Sequence, residues 1–151
     1  IERADMSTRI VDVGSASLSG DNDEIQPYRN VLWISILRSL SAYQMYRLSV
    51  RRNVNAESVL AFLLNSTTFP RSTAHNLAQL EHCVKKLSNH SRPLKCIRKL
   101  AKQLREADLD ALKGHKLHVF IDELQAELDN IHNSINGTWL HPESYQIGNI
   151  G

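Results

Sequence analysis

Arg38 and Arg47 are the first residues whose setting suggests chemistry. Both lie in the stretch from Pro27 to Arg52, PYRNVLWISILRSLSAYQMYRLSVRR. Wound as one helix at about 100° per residue, this stretch lines up Leu32, Ile36, Leu40, Tyr43 and Val50, with Ile34, Met45 and Leu48 nearly opposite. A helix apolar on both sides is covered on both sides. Arg47 projects in line with Ile36 and Tyr43, and Arg38 in line with Ile34 and Met45. From Ile25 to Ala56 there is no Asp or Glu, so a buried guanidinium here must take its carboxylate from another segment. Leaving it unpaired would cost several kcal/mol. The opening segment, IERADMSTRIVDVGSASL, offers Glu2, Asp5 and Asp12 with Arg9 along one face. One reading is a surface ladder of weak ion pairs. The reading favoured here is that Glu2 or Asp5 meets Arg38 or Arg47.

Three other constellations could carry chemistry. Between His82 and Arg105 stand eight Lys or Arg and no acid: Lys85, Lys86, Arg92, Lys95, Arg98, Lys99, Lys102 and Arg105. An anion or RNA patch would use such a run, but no aromatic interleaves it to stack on bases. A solvated hairpin answered by Glu106, Asp108, Asp110, Asp122, Glu123, Glu127 and Asp129 explains it better. His115, His118 and Asp122 fall in one helical sector, yet neither HExxH nor a completing cluster accompanies them. The expectation is a surface His118–Asp122 pair and no metal. Cys83 and Cys96 form no CxxC, so two free thiols are expected. No GxSxG and no phosphate-binding glycine loop occurs, and no cofactor is implied.

The elements that must hold these residues are helical. The chain has 151 residues, 42% of them hydrophobic, with 6 Gly, 4 Pro and a net charge of +2. That profile suits an all-α domain large enough for a real core. The charge is too small to imply nucleic acid. No apolar run approaches the roughly 20 residues of a membrane span. The chain opens at Ile1 on a helical pattern, with neither Met nor an N-cap. Gly14 and Gly20 weaken the end of that first helix, and SGDNDE reads as a turn. After the central helix, AESVLAFLL buries Val59, Leu60, Leu63 and Leu64. Pro70 starts a helix to about Ser88, and Pro93 another carrying Leu94, Ile97, Leu100 and Leu104. The last shows Leu117, Ile121, Leu124, Leu128, Ile131 and Ile135 at the cleanest period. The expected architecture is an up-and-down bundle of about six helices over residues 1–136. Residues 137–151 follow as a mostly irregular tail, with Trp139, Leu140 and Tyr145 placed against the body.

The run from Glu2 to Ile10, ERADMSTRI, resembles the signature of the alpha-E domain family of bacterial helical proteins, named for a Glu-Arg motif. LRSLSAYQMYR (Leu37 to Arg47), FLL (Phe62 to Leu64), FPRS (Phe69 to Ser72) and FIDELQ (Phe120 to Gln125) follow in the family's order. The resemblance implies a chain about half the family's usual length, its C-terminal half, with an N-terminal half of the same chain as one partner. Asn65 departs from the pattern, where an acid often follows the LL pair. By motif position Glu2, Arg3, Asp5, Arg38, Tyr43, Arg47 and Arg71 are the candidate binding residues, with no catalytic residue among them. A buried Arg–Glu network would serve structure or ligand binding, and structure is favoured. Association with ATP-grasp ligases and transglutaminase-like proteins is also implied, in a cytoplasmic peptide-forming or peptide-modifying system.

Three functions compete on this reading, and whether the chain is an enzyme stays open. The first is a non-catalytic accessory or scaffold domain that docks an ATP-grasp partner. The second is part of an enzyme gathering Glu2, Arg3, Arg38 and Arg71 around an anionic or peptide substrate. The third binds RNA or an acidic partner through Lys85 to Arg105. The first is preferred.

Overall fold

The computed structural model describes residues 1–16 and 26–140, and the expectations for Gly20, SGDNDE and Tyr145 lie outside them. Seven α-helices stand among the described residues: α1 (Glu2–Ala16), α2 (Gln26–Ser39), α3 (Tyr43–Val50), α4 (Ala56–Asn65), α5 (Thr73–Val84), α6 (Ser91–Glu106) and α7 (His115–Ile135). The protein is an all-α helical bundle. The long apolar periods of α6 and α7 bury Leu94, Ile97, Leu100 and Leu104 against Leu117, Ile121, Leu124, Leu128 and Ile131. α5, α6 and α7 pack in chain order, and α1 lies against both α7 and α5, closing a four-helix group. On it rests a second group, in which α2 touches α1 and α4, α3 touches α2 and α4, and α4 reaches α5 and α6. No described helix is long and apolar enough to cross a membrane.

The expected central helix is two helices, so there are seven rather than six. Ser41 adopts the left-handed conformation, φ 54°. Ala42 N–H reaches back to the Leu37 carbonyl (2.7 Å) and Ser41 N–H to that of Arg38 (2.9 Å), closing α2 in the manner usually reserved for glycine. The polar sequence SLSA gave no glycine to announce the break. α2 thus buries Trp33, Ile36, Leu37 and Leu40, α3 turns away to bury Tyr46, and Leu48 of the expected second stripe is 74% exposed.

Two smaller departures have local causes. The helix expected from Pro70 begins at Thr73, because Ser72 caps it and accepts from His75 N–H at 3.1 Å. Beyond Ile135 the chain makes one wider π turn, Asn136–Leu140, where an irregular tail is expected. The turn brings Trp139 Nε1 to the Ser88 carbonyl at 2.9 Å, while Leu140 is 64% exposed.

Gly14 lies inside α1 where α2 approaches. A Cβ there would stand 2.2 Å from Ile36 Cδ1 and 2.7 Å from Cγ1. Helix propensity favours Gly14→Ala by about 1 kcal/mol, but overpacking a buried contact costs about 1–3 kcal/mol. Gly14→Ala is expected to lower the urea midpoint, and adding Ile36→Val to restore part of it. A Gly14→Ala protein more stable than wild type by about the propensity gain of 1 kcal/mol would show that α1 and α2 are not in this close contact.

Candidate functional site

The α4–α5 turn joins the opening helix to the α2–α3 hinge. Ser7 of α1 is 2% exposed. Its hydroxyl is 2.8 Å from the Arg3 carbonyl and 3.0 Å from that of Arg71, so one O–H is shared between the helix and the turn. Arg71 in turn sends Nη1 to the Leu40 carbonyl at 3.0 Å, satisfying an end group of α2. Arg3, four residues before Ser7, shares its helix face. The runs ERADMSTRI, FPRS and LRSLSAYQMYR therefore meet at one junction. Beside it, an open groove is lined by Arg38, Ser41, Tyr43 and Gln44. The Arg38 guanidinium stands 5.3 Å from the centre of the Tyr43 ring, a cation–π contact.

The expected pairing of Glu2 or Asp5 with Arg38 or Arg47 is not found. Asp5 binds Arg9, one turn along its own helix, at 2.9 Å. Glu2, Arg3, Arg38, Arg47 and Arg71 are exposed, and Tyr43 is half-buried. The reason is the hinge at Ser41. Once α3 turns, neither Arg38 nor Arg47 occupies a covered face, so neither guanidinium demands a carboxylate from the opening helix.

Sequence reasoning missed the buried aromatic rings that the same runs contribute. Tyr46 is fully buried, and its ring meets Phe62 edge-on with centroids 5.5 Å apart. Phe62 stacks on Phe69 at 4.9 Å. These rings come from QMYR, FLL and FPRS, three of the runs that carry the family resemblance. The Tyr46 hydroxyl lies 2.7 Å from Ser58 Oγ, whose helix is capped by Asn55. Recurrence of aromatics in otherwise separate runs was the available signal.

A second cluster joins α1 to α7. His118 Nδ1 lies 2.6 Å from Asp12 Oδ1, and Nε2 lies 3.5 Å from Asp122 Oδ2. Hydrogen bonding and charge from Asp12, with a smaller contribution from Asp122, raise the His118 pKa above its ordinary value. The expected His118–Asp122 pair is present, joined by an acid from the opening helix. The His115 ring stands 6.5 Å from that of His118.

The basic run is largely engaged along its length. Lys85 and Arg98 both reach Glu81 at 2.9 Å, Lys99 reaches Glu127 at 2.5 Å, and Lys102 lies 3.8 Å from Glu106. Hydrogen bonds from Lys85 and then Arg98 hold the Glu81 carboxyl below its usual range. Glu81, which precedes the run, was not among its expected partners. Cys83 and Cys96 are free thiols, exposed and half-buried respectively.

No curated protein and no solved structure matches the chain. Residues 1–140 match the model of the Alpha-E family, described as a predicted alpha-helical domain with a conserved ER motif, and the chain belongs to that family.

Proposed function

We propose that this chain is a non-catalytic helical accessory domain that docks a partner protein, through the cationic surface around the α2–α3 hinge. One observation carries the reading. In the family runs, the Ser7 hydroxyl, the Arg71 guanidinium and the aromatic rings tie the helices together, while the charged side chains Glu2, Arg3, Arg38 and Arg47 remain exposed. The stretch from Ile25 to Ala56 adds five arginines and no acid, so the surface suits an acidic segment of the partner. By family resemblance the partner is an ATP-grasp ligase or a transglutaminase-like protein in the cytoplasm. Co-purification with the ligase at micromolar concentration supports docking. Arg38→Glu with Arg47→Glu is expected to weaken it by about tenfold or more, through one to two lost charge contacts. Clean separation of the wild-type proteins under the same conditions overturns the reading.

A second reading, an enzyme part binding an anionic or peptide substrate near Glu2, Arg3, Arg38 and Arg71, is favoured by the meeting of Arg71 with the hinge that carries Arg38. Saturable binding of an acidic peptide without the partner protein supports it. Nucleic-acid binding through Lys85 to Arg105 is disfavoured by the four cations already held by carboxylates.

A further inference from the structure

We propose that His118 and Asp122 bind a zinc ion on the surface of α7, with Asp12 of α1 holding the imidazole in place. The ligand atoms of the three residues all lie within 4.8 Å of one another, although Asp12 and His118 are 106 residues apart in sequence. The two ring nitrogens have different roles. Nδ1, at 2.6 Å from Asp12 Oδ1, is positioned to donate its N–H, which fixes the tautomer and directs the Nε2 lone pair outward. Zinc-bound histidines commonly have their second nitrogen engaged by a carboxylate in this way. Nε2 faces Asp122 Oδ2 at 3.5 Å, longer than a good hydrogen bond. Bonds of about 2.0–2.1 Å at a tetrahedral angle require ligand atoms about 3.3–3.4 Å apart, so a cation fits between them with little movement. Imidazole nitrogen and carboxylate oxygen are both ligands that zinc accepts. The side chains of His118 and Asp122 are 50% and 58% exposed, leaving an open approach and room for water at the other positions. His115, one turn earlier with its ring 6.5 Å away, stands outside this set.

The test is calorimetric titration of the full untagged chain with zinc chloride, with the visible spectrum of the cobalt(II) form as a second readout. Wild type is expected to take up one equivalent saturably. Asp122→Asn and His118→Ala remove direct ligands and should abolish that step. Asp12→Asn should weaken it roughly 10–100-fold, as loss of an orienting carboxylate does. His115→Ala should leave it nearly unchanged. Asp122 is exposed and outside the core, so Asp122→Asn remains informative even if His118→Ala unfolds. Absence of saturable uptake at millimolar zinc overturns the proposal. So does uptake that survives Asp122→Asn, ignores Asp12→Asn, or depends on His115.

Discussion

Tyr46→Ala is expected to lower the unfolding free energy by about 3–5 kcal/mol, the range for losing a buried aromatic ring. The side chain is fully buried, and it is the element by which short α3 is attached to α4. Its removal takes away the edge-on contact with Phe62 and exposes the Phe62–Phe69 stack behind it. An eight-residue helix has little stability of its own, so α3 has few contacts to compensate. Tyr46→Phe separates packing from hydrogen bonding. It keeps the ring and deletes the hydroxyl, while Ser58 Oγ retains Asn55 Oδ1 at 2.7 Å and the Asn55 carbonyl at 3.2 Å. With Ser58 still satisfied, the loss should be only about 1 kcal/mol. Urea unfolding followed by far-ultraviolet circular dichroism distinguishes the two. Equal midpoints for the Ala and Phe variants would mean that the ring contributes nothing, and the aromatic attachment of α3 would have to be abandoned.

The same residue marks where the sequence was legible and where it was not. α6 and α7 were readable because each buries one continuous stripe at helical spacing, and periodicity reports burial directly. The segment from Pro27 to Arg52 defeated that logic. Its apolar residues satisfy one helical period fairly well, but Ser41 takes a left-handed conformation without being glycine, so the pattern was summed across a break. From that error followed the supposed buried arginines. Long-range electrostatics was not legible. The expected pairing of Glu2 or Asp5 with Arg38 or Arg47 is absent, and the carboxylate that the opening helix does bring to a distant side chain is Asp12, against the His118 imidazole of α7. Spacing along one helix places residues on a face; it contains no information about which other helix that face meets. The family runs had the opposite character. Their order identified the family, while the physical role of all but FIDELQ, rings and backbone bonds joining α1 through α4 around one junction, became visible only with the helices assembled.

Ser72→Ala is expected to cost about 2–3 kcal/mol, a large effect for the loss of one oxygen. The hydroxyl is fully buried and acts in both directions. As acceptor it caps α5 by taking His75 N–H at 3.1 Å, a contribution of about 1 kcal/mol. As donor it satisfies the Ser66 carbonyl at the end of α4 in a part-buried bond, and losing that bond adds about 1–2 kcal/mol. Ser72→Asp divides the two roles, since a carboxylate caps helices well but cannot donate to a carbonyl. If the cap dominated, Asp would rescue; because position 72 is itself fully buried and a carboxylate there would face the Ser66 carbonyl, Asp is expected to be at least as damaging as Ala. Hydrogen exchange at the His75 amide gives a local readout: its protection should fall in Ser72→Ala, where the cap is lost, and be better retained in Ser72→Asp, where a carboxylate still accepts the N–H. The effect should also extend to docking, because the adjacent Arg71 is held in register by this turn, its carbonyl on Ser7 and its guanidinium on Leu40. Partner affinity should therefore weaken with Ser72→Ala under conditions where the bundle is still folded. A Ser72→Ala protein within about 0.5 kcal/mol of wild type, the usual scale of surface substitutions, would show that the turn is held by other contacts and that Arg71 does not depend on it.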